Sequence, residues 1–350
     1  YWNSLSGPFI LDDQVAIVDN PQIRALSSAA LFPERELPTA GRPLVNLSLA
    51  INYALGGLDV RGYHLFNIAV HLLCALILFG LIRRTLELPA VSSVFQSPPV
   101  PVAAVIAVLW ALHPLNTEVV DYLTQRTESL MAVFYLLTLY AVARAAQAEH
   151  GARWRTLAIA SCAAGMACKE SMVTAPVAVL LFERAYIFDG FAASVRERWK
   201  FYAGLALTWG WLAMLIWSGP RIHSAGFATA ISPWTYLLNQ SVAITDYLRL
   251  AIWPTALAVN WGWPQPVTLA AVWPYVLLIS ALVALAMLAF VTVSFGGFGS
   301  VLGALAAGLI IGVVESVSAY AIGPVYKDVV VYVLFVLVLW FRPQGLMGKA

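Results

Sequence analysis

The stretch Tyr63-His-Leu-Phe-Asn-Ile-Ala-Val-His-Leu-Leu-Cys-Ala-Leu-Ile-Leu-Phe-Gly-Leu-Ile82, closed by Arg83-Arg84, decides the fold class. Twenty largely apolar residues, at about 1.5 Å of helical rise each, match the hydrocarbon thickness of a bilayer. A basic pair at one end favours the cytoplasmic side and leaves the preceding residues outside, in a periplasm or lumen. The composition agrees, with 61% hydrophobic and 11% charged residues and a mean hydropathy of +0.80; a soluble domain carries about 25% charged residues. The chain is therefore read as an all-α, polytopic integral membrane protein of eight to ten apolar segments. Twenty basic against eighteen acidic residues give a net charge of +2 and no basic stripe for nucleic acid. Thirteen Trp and fourteen Tyr fit interfacial belts.

Outward from that span, residues 1–62 mix charge, Pro and Gly and are expected to form an outer loop. Its start, Tyr1-Trp-Asn-Ser, lacks a basic n-region and reads as the outer end of a missing first helix. Pro101 to Leu112 is short for a span and stops at His113-Pro114, so that loop dips into the membrane or the bilayer thins there. Ser129 to Arg144 returns inward to a basic turn. Thr156 to Phe188 reads as a hairpin with its tip at Lys169-Glu170, and Phe201 to Trp217 leads outward to a loop with Arg221 and His223. Tyr236 to Trp253, with Gln240, Asp246 and Arg249, is either packed inside a bundle or laid along the interface. Trp273 to Phe295, Val301 to Ile322 and Val329 to Phe341 are further apolar segments. Boundaries at 1–62, 63–288 and 289–350 follow from these changes of character.

Three polar clusters stand out because ionisable residues in lipid are costly and mark sites. They are Asp12-Asp13, the run from His113 through Glu118 to Arg126 and Glu128, and Lys169-Glu170. They are expected to meet at one membrane face. Cys74, Cys162 and Cys168 follow neither a zinc nor a disulfide spacing. His64, His71 and His113 lack the local spacing of a zinc site, so packed and hydrogen-bonded histidines are expected and no metal is assigned.

Over about residues 1–270 the chain resembles bacterial relatives of the transmembrane and tetratricopeptide-repeat O-mannosyltransferases, membrane glycosyltransferases of the GT-C class. The phrases that carry the resemblance include Gly7-Pro-Phe-Ile-Leu-Asp-Asp13, Arg42-Pro-Leu-Val-Asn-Leu-Ser48, Gly62-Tyr-His-Leu-Phe-Asn67 with His71, Leu112-His-Pro-Leu-Asn-Thr-Glu118, Thr124-Gln-Arg-Thr-Glu128 and Cys168-Lys-Glu170. Asn260-Trp-Gly262 stands where the family commonly has Asp-Tyr-Gly, and tetratricopeptide repeats do not follow. From about Ala289 the sequence is similar instead to the last helices of a branched-chain amino-acid ABC permease, through Gly296-Gly-Phe-Gly299 and Phe341-Arg-Pro-Gln-Gly-Leu346.

The first resemblance implies a GT-C-like core over 63–288. It implies transfer of a sugar, mannose by the family, from a polyprenyl-phosphate donor to a Ser/Thr hydroxyl of a protein acceptor, with no cofactor. An acceptor hydroxyl needs a base, and Asp12 and Asp13 are the candidates, one as base and the other orienting a partner; an Asx-type turn or helix cap is the alternative. The leaving phosphate calls for a fixed cation, for which Arg126 and Lys169 are candidates; Lys169 could instead pair with Glu170 or Glu118. Glu118 orients a neighbour or caps a helix, and His113, Glu170 and His71 are supporting residues. The rival reading is a permease subunit working with a cytoplasmic ABC ATPase, or an inactive fusion of the two lineages. Under either reading membrane lipid is a partner.

Overall fold

A computed structural model describes residues 1–26, 37–218, 232–255, 257–258 and 266–296, and for 286–296 the backbone only. The loop with Arg221 and His223, the Asn260-Trp-Gly262 phrase and the permease-like residues from 297 on lie outside the described residues. Every regular element among them is helical. They fall into two compact units, the first from the described parts of Tyr1–Ile231 and Leu250–Gly262, the second from those of Ser232–Arg249 and Trp263–Ala350.

The first unit begins with short helical turns at Trp2–Ser6, Gln14–Val18 and Pro21–Arg24. Helix α1 (Pro43–Gly56) starts on proline, whose fixed φ and missing N–H suit a first turn. Helix α2 (Val60–Leu86) is capped by the Asp59 side chain and ends on Arg83 and Arg84, both within reach of Glu87. It contains the whole expected span and is long and apolar enough to cross a membrane. Helix α3 (Pro99–Ala111) stops before His113-Pro114, because a residue ahead of proline is driven out of the α region. The chain then resumes through a 3-10 turn into α4 (Thr117–Asp121), bent by 53° from α3, as a broken span or a re-entrant loop.

Helix α5 (Arg126–Gln147) is the second membrane-length helix once the turn from Leu123 is included. Among the described residues two helices therefore qualify, or three if the bent pair is one span, where eight to ten apolar segments were expected of the whole chain. Helices α2 and α5 pack through Val70, Cys74 and Val133. They approach closely at Gly80, where a Cβ would stand 2.9 Å from the Tyr140 ring. Helix α6 (Ala152–Met166) and α7 (Ala175–Tyr186) form the expected hairpin, with Lys169-Glu170 at its tip. Small residues on α6, among them Ala158 and Cys162, face Ala141 and Val142 of α5 and Leu205 of α8 (Phe191–Ser218) in the main core. In the second unit α10 (Leu269–Gly296) is apolar over Leu269–Leu285; α9 (Pro233–Ile252) lies largely in that unit.

One buried cation ties α1, α2 and α5 together. Arg126, fully buried, donates from Nε to Asn67 Oδ1 (2.9 Å). Its Nη1 donates to Asn52 Oδ1 (2.6 Å) and Ser48 Oγ (3.4 Å), and its Nη2 to the Tyr63 carbonyl (3.2 Å). The guanidinium also lies 4.3 Å from the Phe66 ring centroid. Removing one partner of a buried charge network leaves the rest unsatisfied at a cost of about 3–5 kcal/mol. Arg126→Leu is expected to lower unfolding stability by that order in detergent, and Arg126→Lys by less but still measurably, since the three donors of one compact ammonium cannot reach the four acceptors that the planar guanidinium spans. An unchanged unfolding midpoint in both variants would show that this network does not hold the three helices together.

Candidate functional site

The Asp12-Asp13 loop is pinned on both sides by apolar burial. Before it, Phe9 packs edge-on against Tyr63, with ring centroids 5.8 Å apart. After it, Ala16 and Ile17 enter a buried cluster with Ile23, Leu49, Ala50 and Leu123. Between these pins the chain must turn sharply. Leu11 does so in the left-handed region (φ 48°), which costs a non-glycine residue of order 1–3 kcal/mol and is held only by surroundings that over-determine it.

The turn sends the two carboxylates to different environments. Asp13 is fully buried; its Oδ1 accepts from the Thr124 backbone N–H (2.7 Å) and the Thr124 hydroxyl, and its Oδ2 from the Ile10 N–H (3.1 Å). Burial pushes its carboxyl above the ordinary value, and these hydrogen bonds pull it part of the way back. Asp12 is exposed. Its backbone N–H donates to the Tyr122 hydroxyl (3.1 Å), and that hydroxyl also faces the Asp12 carboxylate. Burial pushes the Tyr122 phenol up to about 12, so near neutral pH it keeps a proton to donate. Asp13 is thus held by bonds to Thr124 and back to Ile10, three residues before it and not the forward bond of an Asx turn, while Asp12 stays open to solvent.

The segment 113–128 carries the rest. His113 opens its 3-10 turn by accepting at Nδ1 from Leu115 N (3.2 Å), which leaves Nε2 to donate to the Ala251 carbonyl (3.0 Å). Glu118 sits in the first turn of α4, where a carboxylate suits the helix dipole. Glu118 lies in the field of Glu128 and Lys169. Lys169, expected to pair with Glu170 or Glu118, forms an ion pair with Glu128. Glu170 pairs with Arg42 (2.9 Å) instead, because the start of α1 docks at the hairpin tip, where Leu44 N donates to the Ala167 carbonyl.

The three polar clusters therefore meet: Asp12 and Asp13 touch Tyr122 and Thr124, Arg126 lies two residues on, and Glu128 reaches Lys169. Arg126, though in the field of Asp13, has its donors turned to protein acceptors and does not open to a ligand in this conformation. Lys169 is half-buried, with 22% of its side chain exposed. His71 is not in this group. It bonds the Ala111 carbonyl (2.9 Å) and stacks on Trp110, and His64 approaches the Gly7 carbonyl (3.3 Å). Among the described residues no group of three His, Cys, Asp or Glu could hold a metal ion.

Sequence reading missed Tyr122, Asn52 and Arg42 as site residues. Arg42 and Asn52 lie far in sequence from their partners, and Tyr122 is one of fourteen tyrosines with nothing local to single it out.

Residues 38–217 match the model of the dolichyl-phosphate-mannose-protein mannosyltransferase family. The chain is 29% identical over 288 residues to Protein O-mannosyl-transferase Tmtc2 of Drosophila melanogaster, which covers 75% of this chain and 29% of that protein. It is also 29% identical over 203 residues to Protein O-mannosyl-transferase TMTC3 of Homo sapiens, covering 55% of this chain and 21% of that one. A stretch of 61 residues is 48% identical to the high-affinity branched-chain amino acid transport system permease protein BraD of Pseudomonas aeruginosa, covering 17% of this chain and 20% of BraD. The chain thus spans less than a third of the length of these relatives. No solved structure matches it. With more than half of its length under one family model and its polar clusters gathered at one place, the chain belongs to the dolichyl-phosphate-mannose-protein mannosyltransferase family.

Proposed function

We propose that this chain carries the sugar-transfer site of a membrane O-mannosyltransferase, taking mannose from a polyprenyl-phosphate donor to a Ser/Thr hydroxyl of a protein acceptor. The observation that carries the reading is the split of adjacent carboxylates into a buried, triply bonded Asp13 and an exposed Asp12 beside a protonated phenol. Asp12 takes the acceptor hydroxyl proton as the oxygen attacks the anomeric carbon. The bond from that carbon to the phosphate oxygen breaks, and polyprenyl phosphate leaves with the electron pair. This is a single displacement with a carboxylate base. Asp13 holds the loop, and Tyr122 keeps the Asp12 carboxylate aimed.

For the leaving phosphate the accessible cation is Lys169, which exchanges the Glu128 carboxylate for the donor. Arg126 contributes through its field from within the helices. Glu118, Glu170 and His113 shape the rim, and His71 anchors α2 to the end of α3. The lipid tail of the donor runs along the exposed apolar helix surfaces, with the site on the outer face of the membrane.

Reconstituted chain supplied with radiolabelled polyprenyl-phosphate mannose and a Ser/Thr acceptor tests the reading. Asp12→Asn is expected to lose at least about a hundredfold in transfer with unchanged stability, since the base alone is removed from an exposed position. Tyr122→Phe is expected to lower kcat about tenfold with little change in KM, the loss of one hydrogen bond to a reacting group. Transfer by Asp12→Asn at the wild-type rate would overturn the assignment of the base.

The Asp13 prediction concerns stability. Because its native pKa is raised above the ordinary 3.8, the folded chain holds this proton more tightly than the unfolded one. Its contribution is fully present below pH 3.8 and is lost as pH rises through the native value. Asp13→Asn is expected to erase that slope. It should also cost about 2 kcal/mol, by turning an amide donor toward an N–H or O–H that needs an acceptor. Unfolding midpoints of the two chains through the acid range check this, and a wild-type midpoint that climbs relative to the variant over that window would reverse the sign.

A further inference from the structure

The end of the bundle away from the carboxylate loop carries a second built surface that sugar transfer does not use. Arg84 and Gln147 bond each other (3.3 and 2.7 Å), so α2 and α5 finish side by side there. Gly204 of α8 packs on Ile159 of α6, and Thr208 on Cys162, so these two helices run parallel and both begin at this end. The segments gathered here, 83–92, 144–155 and 183–200, hold nine Lys or Arg and five Asp or Glu.

Within them one local structure is unusual. Helix α8 breaks at Arg198, whose φ and ψ (−121°, 30°) are not helical. The break is fixed from inside. Glu183 of α7 is fully buried, and its two oxygens take the Arg198 guanidinium and the Tyr202 hydroxyl (2.5 Å), one turn apart on α8. The Arg198 guanidinium also covers the Phe188 ring at 4.8 Å. The turns ahead of the break are thus a separately aimed amphipathic piece. Ser194 is buried against the protein, while Phe191, Val195 and Trp199, spaced four apart, are 43%, 43% and 59% exposed. Arg196 makes no hydrogen bond or ion pair among the described residues, and Lys200 lies over the Trp199 ring at 5.7 Å.

An exposed aromatic stripe with cations beside it is what a segment lying at the headgroup level presents. We infer that residues 191–200 form a binding site for the headgroup phosphate of an anionic phospholipid in the leaflet facing this end, with Arg196 and Lys200 as its cations and Phe191, Val195 and Trp199 set among the acyl chains. The surplus of positive charge selects an anionic headgroup over a zwitterionic one. The Glu183–Arg198 pair keeps the segment at its angle whether or not lipid is bound. This reading is independent of sugar transfer, since it uses no residue of the Asp12 site.

The test is lipid retention by the full chain in nanodiscs of phosphatidylcholine with and without phosphatidylglycerol, read by native mass spectrometry. Wild type is expected to retain phosphatidylglycerol in preference to phosphatidylcholine. Arg196→Gln/Lys200→Gln is expected to weaken that retention about thirtyfold, about fivefold for each charge near the surface. Arg196→Lys/Lys200→Arg should keep it, and so should Arg61→Gln, an exposed cation in the first turn of α2. Equal retention by wild type and the double Gln variant, or no preference of wild type for the anionic lipid, would overturn the proposal. Matched unfolding midpoints show that any loss is not a loss of fold.

Discussion

The guanidinium of Arg126 is the constraint on which the first unit depends. A charge sealed from water costs several kcal/mol even after relaxation, so it persists only where every direction offers an acceptor. Here Nε, Nη1 and Nη2 find Asn67, Asn52, Ser48 and the Tyr63 carbonyl, on two other helices. None of those acceptors is a carboxylate. The charge is spread over dipoles and over the Phe66 ring face, with the buried Asp13 acting on it through its field without touching it. Since α5 cannot slide or rotate without stranding these groups, the residues just ahead of it, Tyr122 to Gln125, are held in place as well.

That placement is what makes two adjacent carboxylates unlike. Thr124 offers a backbone N–H and a hydroxyl at the point where Asp13 arrives, and Tyr122 offers a phenol where Asp12 does. Leu11 accepts an unfavourable φ so that the loop meets both. The strain is offset by burial of Phe9 on one side and of Ala16 and Ile17 on the other. One carboxylate is used up by structure, and its neighbour keeps its lone pairs for chemistry.

The opposite ends of the bundle handle charge differently. Near the loop, cations and carboxylates are cross-paired between distant segments, Arg42 with Glu170 and Lys169 with Glu128, so opening one pair frees a charge at the site. At the other end the buried Glu183 consumes one arginine to shape a helix break and leaves Arg196 outside. The same type of bond positions a site in one case and aims a surface in the other.

Much of this was legible in the chain itself. Apolar length announced the membrane helices α2 and α5, His113-Pro114 the break after α3, and Lys169-Glu170 the hairpin tip, because helix length, proline sterics and the cost of charge in lipid act locally along the sequence. Of the eight to ten apolar segments expected, two or three helices among the described residues meet the length and apolarity of a crossing. Quoted phrases identified the family and the three polar clusters. What the sequence could not apportion was partnership. Lys169 was matched to Glu170 or Glu118 and takes Glu128, and Arg126, a candidate for the donor phosphate, is sealed inside. Asp12 and Asp13 are chemically identical until Thr124, 111 residues away, claims one of them. Such choices depend on which desolvated groups the packed helices leave facing each other, and only the tertiary structure decides that.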